Sequence, residues 1–324
     1  MVNVSIRQLR SIIAISKHGK LSDAAKSLGL TSPAVTLQLK QLEEEIDSQL
    51  FIRTRGGAIA TEMGQVFVDS AHRILAEIEG LEERLEELKG ASKGRLNLGV
   101  VSTGKYFAPR MIAAFETLYP GIEIHLTTAN RDQIIHSLEN YEIDLALMGR
   151  PPKHFDVVSN RFGDHPLVFI AHPEHRLARK IDLQRREIME HKLLLREPGS
   201  GTRAAFEIFM ADLFNVETSR FTIMQSNETI KQAVMADLGV ALISGHTIEK
   251  EVESKLLKVL DVQNTPLRRE WYTVQRADKK PTPAMDAFEG FLRKNGLRLL
   301  PIVQKTYQDQ GADVTASNDA SRMG

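Results

Sequence analysis

Small hydroxyl and basic residues gather at three places where an alternating apolar run gives way to a helical one. These are Ser102-Thr103-Gly104, Gly199-Ser200-Gly201-Thr202 and Ser226-Asn227, with Lys105, Arg150, Arg196 and Arg203 beside them. Helix starts offer free N–H groups and the positive end of the helix dipole. In open α/β sheets, ligands bind at the carboxyl ends of strands. Hydroxyls, amides and guanidinium groups meeting there would hold a small anion. The candidate set is Ser102, Thr103, Lys105, Asn130, Met148, Arg150, Gly201, Thr202, Arg203, Ser226 and Asn227. Capping alone accounts for any one junction, because Ser, Thr and Asn cap helices everywhere. Three junctions in one fold argue for a shared cleft.

The chemistry that would turn such a cleft into an enzyme is missing. The chain has no cysteine, which removes disulfides, thiolate nucleophiles and thiolate metal sites. The segment "GSGTR" lacks the order of a P-loop, no Gly-x-Gly-x-x-Gly is present, and "GASKG" at Gly90 to Gly94 precedes a strand rather than forming the strand-to-helix turn of a Gly-x-Ser-x-Gly nucleophile elbow. His172 and His175 flank Pro173 without a third metal ligand nearby, which suits a surface turn. The expectation is a binding protein without cofactor or metal, not an enzyme.

The junctions need a scaffold, and the pattern supplies one. After "GASKG", read as a hinge at Gly90 to Gly94, "RLNLGVV", "IEIHLTT" and "IDLALMG" read as strands, with helical segments between them. That β-α-β-α-β order predicts a parallel sheet with crossover helices. A second series runs from "PLVFIAH" through "KLLLRE" and "RFTIMQ" to "GVALIS". The last segment, "EWYTVQR" and "PAMDAFEGFLRKN", is expected to return to the first half. The prediction is an α/β domain over 91–304, with subdomain I at about 91–165 and 266–304 and subdomain II at about 166–265. The cleft lies between them. The polar tail 305–324 is expected to be disordered.

Ahead of this domain, residues 1–60 carry eight basic and five acidic residues, whereas 61–90 carry three basic and eight acidic. A basic head joined to an acidic segment suggests different partners for the two. In the head, Ile6, Leu9, Ile12 and Ile13 recur at helical spacing, and His18-Gly19 ends that helix. Ser22 can cap a second helix, Asp23 to Leu28, stopped by Gly29. Thr31 or Ser32 caps a third, with Pro33 in its first turn and Val35, Leu39, Leu42 and Ile46 as its apolar stripe. Two capped helices about four residues apart match a helix-turn-helix. Its second helix would offer Ser32, Pro33, Ala34, Thr36, Leu37, Gln38 and Lys40 to a major groove. Thr36 and Gln38 could read base edges, Leu37 a thymine methyl, and Lys40 a phosphate. "LFIRTRGGAIAT" reads as a hairpin turning at Gly56-Gly57, a wing that carries Arg53, Thr54 and Arg55.

From Thr61 to Lys89 no proline occurs, and Phe67, Ala71, Ile74, Ile78, Leu81, Leu85 and Leu88 are spaced 4, 3, 4, 3, 4, 3. A long helix with one narrow apolar seam needs a partner, so 61–90 is read as a dimerisation helix.

The run "AAKSLGLTSPAVTLQLKQLEEEIDSQLFIRT", followed by Thr61-x-x-Gly64, resembles the N-terminal domain of the LysR family of bacterial transcriptional regulators. Ser32 stands where the family usually has Gln, Thr36 where it has Ser, and Leu37 where it often has a polar residue. These departures bear on base preference, not on fold. The resemblance extends over about residues 5 to 300. It implies an all-α winged helix-turn-helix domain, a linker helix that pairs two subunits, and an effector domain built like a periplasmic solute-binding protein. "GVVSTGKYFAPRMIAAF", "LENYEIDLALMGRPP" and "REPGSGTR" are most similar to regulators of Calvin-cycle (RuBisCO operon) genes. That implies an effector such as a phosphorylated sugar or NADPH, while regulators of other metabolic operons share parts of these motifs.

The expected function is a ligand-responsive transcription factor that binds double-stranded promoter DNA as a homodimer or a dimer of dimers, with RNA polymerase as a possible partner. The competing reading is a small-metabolite binding protein whose N-terminal bundle only mediates assembly. Against it stand the basic wing and the polar exposed face of the third helix, which assembly does not need. No apolar run approaches the roughly 18 residues a membrane helix requires, and the N-terminus lacks a signal-peptide pattern, so a cytoplasmic location is expected.

Overall fold

The computed structural model of the chain describes residues 3–88, 94–215 and 220–301. The expected hinge, but for Gly94, and the expected disordered tail both lie outside the described residues. The chain divides into two compact units: the head with its long helix, and the α/β unit that begins at the strand after it.

In the head, α1 spans Ile6–His18, α2 Leu21–Ser27 and α3 Ser32–Glu45. Ser5 and Gln8 form a reciprocal capping box at the start of α1, which ends at Gly19 with φ 68°. The second helix starts two residues earlier than expected. Its cap position is Lys20, and Ser22 lies inside the first turn, capping nothing. Thr31 caps α3, its hydroxyl accepting from the Ala34 N–H at 3.4 Å. Ile12, Ile15, Ala24, Ala25, Val35, Leu39 and Leu42 form one core, where the two alanines let α1 and α2 pack closely.

The head is not all-α. β1, Phe51–Thr54, and β2, Gly57–Ala60, form the expected wing. Its register pairs Thr54 with Gly57, so the turn falls at Arg55-Gly56, one residue before the expected pair. Gly57 is committed elsewhere. It sits at φ 135° against the Gly19 carbonyl, with no room for a Cβ. The Ala58 N–H donates to that same carbonyl, tying the wing to the α1–α2 turn.

The long helix α4 spans Glu62–Leu88. The Thr61 hydroxyl accepts from the Gly64 N–H at 2.9 Å and donates to the Gln49 carbonyl at 2.8 Å. At Gly64 any side chain would strike the Leu50 carbonyl. The Thr-x-x-Gly pair is therefore the joint between wing and helix. The start of the seam is used within the chain: beside Val68, a member of the head core, Phe67 packs against that core and Ala71 is fully buried. Both had been expected at a subunit interface. Beyond them the seam is uncovered, with Ile74, Leu81 and Leu85 at 47%, 50% and 46% exposure. The Leu88 side chain lies outside the described residues.

The α/β unit opens with β3, Gly94–Val101, a 3-10 turn at Ser102–Tyr106, and α5, Ala108–Leu118. β4 (Ile122–Ala129), α6 (Arg131–Glu139) and β5 (Leu145–Met148) complete the expected parallel arrangement, with β3 between β4 and β5. β6 is longer than the run from Pro166 suggested, spanning Val157–Ala171. Then follow α7 (Arg185–Met189), β7 (Leu193–Arg196), α8 (Gly201–Phe209), β8 (Phe221–Met224), α9 (Asn227–Met235) and β9 (Ala241–Ser244). The chain closes with α10 (Glu249–Glu253), β10 (Lys258–Val259), β11 (Leu267–Arg276) and α11 (Pro283–Leu299).

β6 and β11 pair antiparallel along almost their whole length and carry the chain between the two halves. β11 also pairs with β5, which places the returning segment in the first half as expected. β9 and β10 flank the later part of β6, and β7 pairs parallel with β8. One core gathers Leu96, Leu98, Phe107, Phe115, Trp271 and Phe288; the other Leu167, Phe169, Phe206, Met210 and Val262. Burying each such large side chain contributes about 1.5–3 kcal/mol. The halves are joined by two strands, with a cleft at the carboxyl ends of β3, β5 and β7.

Candidate functional site

The cleft has a volume of about 290 Å³ and draws on both halves. From the first half come Ser102, Thr103, Arg131 and the loop Gly149 to His154; from the second, Ser200, Gly201, Thr202 and Leu167; and from the paired strands, His165 and Arg269. Of the residues expected to hold an effector, Ser102, Thr103, Arg150, Gly201 and Thr202 line it.

The others do not, for identifiable reasons. Met148 is fully buried in a core cluster, because β5 is covered on both faces. Asn130 forms a capping box with Gln133 at the start of α6. Ser226 caps α9, accepting from the Thr229 N–H at 3.0 Å. Arg203 turns away along α8, donating to Glu207 at 2.6 Å with its guanidinium over Phe214 and Phe221. Lys105 rests over the Tyr106 ring. Asn227 is buried behind the cleft, accepting from Arg196 at 2.5 Å and donating to the Thr103 hydroxyl at 3.2 Å.

That last contact belongs to a set that spans the halves. Arg196, paired with Glu197, donates to the Ser102 hydroxyl at 3.1 Å. Tyr106 donates to Glu228 at 2.9 Å, and the Asp132 N–H donates to the Gly199 carbonyl at 3.3 Å. Lys231, paired with Glu251 and Glu228, lies 4.8 Å from the Tyr106 ring centroid. Burial, and then the Glu228 carboxylate, push the Tyr106 phenol far above its ordinary range, so it stays a donor at any working pH. Arg196 is neutralised by Glu197, so any free positive charge in the cleft must come from elsewhere.

It comes from residues that carry no motif. Arg131 directly follows a helix cap, and Arg269 sits in an alternating strand. β11 lies beside β5, and so brings Arg269 to the loop holding Arg150. Arg131 donates to the Arg150 and Pro151 carbonyls, clamping that loop. The three guanidinium groups crowd one another. Burial, then Arg150 and Arg131, lower the pKa of Arg269. Burial also lowers that of Arg131, with Arg150 adding to it and Asp132 opposing it. Arg269 has no acidic partner among the described residues. The start of α8 adds to the field, since Ser200 at its cap position makes no side-chain cap. Uncapped N–H groups beside three arginines have the chemistry to hold a small, strongly charged anion.

In the head, Ser32, Pro33, Leu37, Lys40, Arg53 and Arg55 are exposed. Leu37, at 55% exposure, stands off the apolar stripe as its spacing implied. Gln38 is turned inward, accepting a hydrogen bond from Ser11 in α1, contrary to the base-reading expectation. Thr36 is half-buried and gives its hydroxyl proton to the Ser32 carbonyl at 2.9 Å, and Ala34 is half-buried as well. The Thr54 hydroxyl closes the wing turn onto the Gly57 carbonyl at 2.9 Å. A groove lined by Thr36, Lys40, Gln49 and Arg53 runs between α3 and the wing. Among the described residues Lys40 pairs only with Glu44, at 3.4 Å and highly exposed, which leaves it available to a phosphate.

Comparison with known proteins adds the following. Residues 6–65 match a profile described as bacterial regulatory helix-turn-helix protein, lysR family, and residues 89–296 match the LysR substrate binding domain. The chain is 51% identical to the HTH-type transcriptional regulator CbbR of Rhizobium meliloti (strain 1021), over 95% of this chain and 98% of that protein. It is 40% identical to the RuBisCO operon transcriptional regulator of Allochromatium vinosum, over 92% and 98% of the two. Among solved structures, the regulatory domain of Synechocystis PCC6803 CcmR in complex with 2-PG superposes with a TM-score of 0.58 at 35% identity, covering 62% of this chain and 97% of that one.

Proposed function

The chain belongs to the LysR family of bacterial transcriptional regulators, and from that premise we propose that it controls carbon-fixation genes by sensing a small anionic metabolite in the cleft of its effector domain. The observation that carries this reading is the convergence of Arg131, Arg150 and Arg269 on the uncapped start of α8. Such a site is built for a phosphate or carboxylate head rather than for an apolar inducer. The relatives named for CbbR and for the RuBisCO operon support carbon fixation as the target, and the neighbour solved with 2-PG supports the chemical class.

A cleft of about 290 Å³ suits a phosphorylated acid or sugar and is small for a whole dinucleotide such as NADPH. No cofactor is needed, because binding itself does the work. A ligand gripped by both halves changes their relative setting, and in a dimer that change alters how two recognition helices meet two half-sites. In this reading DNA is held by Ser32, Pro33, Leu37 and Lys40 of α3 and by Arg53 and Arg55 of the wing, and subunits pair through the uncovered seam from Ile74 to Leu85. The regulator works in the cytoplasm as a dimer or a dimer of dimers and acts on RNA polymerase at the promoter.

Calorimetric titration of the full chain with phosphoglycolate, ribulose bisphosphate and NADPH tests the ligand class. The reading expects saturable binding of at least one phosphorylated metabolite, abolished in Thr202→Ala or Arg150→Ala. Binding of none of the three, or binding unaffected by both substitutions, contradicts it.

A further inference from the structure

His165 is the residue in the cleft that neither capping nor packing explains. It lies on β6 facing Gly149, at 7% exposure, and lines the cavity beside Arg150, Arg269 and Thr202. Among the described residues, neither of its ring nitrogens has a hydrogen-bond partner. Its plane is fixed from one side: the ring stacks on Trp271, the only tryptophan, at a centroid distance of 4.0 Å and an interplanar angle of 18°. Trp271 is held in turn by the bond from its Nε1 to His246 Nδ1, 3.1 Å long. An imidazole oriented this firmly, with both nitrogens idle at the wall of an anion site, is a hydrogen-bonding group waiting for a ligand.

We propose that His165 is the specificity residue that makes the cleft prefer a phosphomonoester over other dianions, by sharing one proton with the phosphate. This rests on the cleft being the effector site. Three arginines and a helix start attract sulfate, a dicarboxylate or a phosphate alike, because all present negative oxygens. A phosphomonoester differs in having a second pKa of about 6, so near neutrality one proton can sit between its oxygen and a facing imidazole nitrogen. In the free protein His165 is neutral, held so by burial, by His246 of the 3-10 turn after β9 and by Arg269 of β11. Arg150, after β5, and Arg131, of α6, add positive charge from the other side of the cavity. Asp164 and Glu270 are the acidic neighbours in sequence on β6 and β11, with Glu270 engaged by Arg161 and Tyr272. A bound dianion offsets the arginines and brings an oxygen to the ring, so the complex retains a proton that the separate partners do not.

Binding therefore takes up close to one proton per ligand at pH 7, and affinity for the phosphomonoester rises as pH falls from 8 towards 7. The test is calorimetry of phosphoglycolate binding to the full chain in buffers of differing ionisation enthalpy, with sulfate as the competing dianion. Expected are an uptake near one proton, lost in His165→Gln, and a preference for phosphoglycolate over sulfate of at least tenfold that shrinks in the same variant. His165→Asn serves if the glutamine variant does not fold, and the wild-type buffer dependence needs no variant. Phosphoglycolate binding without proton uptake, or uptake that persists in the variants, overturns the role of His165 and leaves the cleft reading standing. No binding of phosphoglycolate overturns both.

Discussion

Arg269→Gln separates a binding role from a structural one, because the two predict opposite signs. In the free protein Arg269 is half-buried beside Arg131 and Arg150, has no acidic partner among the described residues, and has its pKa lowered by burial and by those two charges. Removing its charge relieves repulsion, so the folded protein should lose nothing and gain slightly. For a domain of this size, about 1 kcal/mol corresponds to roughly 2–4 °C in Tm, so the expected change lies between zero and a few degrees upward. In the complex the same substitution removes a charge-assisted hydrogen bond worth about 1.5–3 kcal/mol. That converts to roughly 10- to 150-fold weaker effector binding. Thermal melts and calorimetry on one preparation read both. A drop in Tm of several degrees with affinity unchanged would show that Arg269 is a structural residue and that the cationic cluster is not a binding device.

Four further outcomes follow from the same structure. Tyr106→Phe removes the bond to Glu228 that ties the halves together, worth about 1 kcal/mol, so calorimetry should show roughly fivefold weaker effector binding; unchanged affinity would mean the bond plays no part in closure. Arg53→Ala with Arg55→Ala should weaken promoter binding and lower the slope of log affinity against log salt by about two, read by anisotropy across a salt series; an unchanged slope removes the wing from the interface. Leu81→Glu, on the uncovered seam, should convert the dimer to a monomer in light scattering while helix content holds; a persisting dimer places the pairing elsewhere. His246 is held neutral, its pKa lowered by burial from 6.5 to about 4. The unfolded chain therefore binds the extra proton in that window, and stability falls as pH drops from 6.5 to about 4, by up to about 1.4 kcal/mol per pH unit. Melts over that range should show this decline flattened in His246→Gln, and an equal decline in both proteins would assign it to other groups.

What could be read from sequence follows from how far apart the interacting residues are in the chain. The helices, the wing and the parallel β-α-β series are local, and periodicity with capping residues revealed them. Errors at their ends came from competition between neighbours: Lys20 displaced Ser22 as the cap position, and the close approach of Gly19 to Gly57 moved the wing turn by one residue. The division of the α4 seam was invisible, because nothing in a heptad says which of its positions face the chain's own head. The cleft was half legible. Hydroxyl clusters at strand ends located Ser102, Thr103, Gly201 and Thr202. Of the three arginines that supply the field, Arg150 was found but Arg131 and Arg269 were not, because Arg269 reaches Arg150 only through the antiparallel insertion of β11 beside β5, a pairing more than a hundred residues apart in sequence. His165 was hidden for a related reason. Gly163 and Pro166 look like breakers, yet β6 continues through both, with Gly163 facing Trp271 beside a bulge at Phe162 and Pro166 facing Arg268 in the ladder with β11.

The central claim is that an anion in the cleft changes the grip of this protein on DNA. The most direct measurement is a quantitative footprint of the full chain on the intergenic DNA upstream of its own gene, with phosphoglycolate, ribulose bisphosphate and NADPH added in turn. The account predicts protection over a dyad, with an extent or affinity that one of the phosphorylated metabolites shifts, and no shift when Arg269→Gln replaces the wild type at the same ligand concentration. Specific protection that none of the three alters, or a shift that survives in Arg269→Gln undiminished, would contradict it.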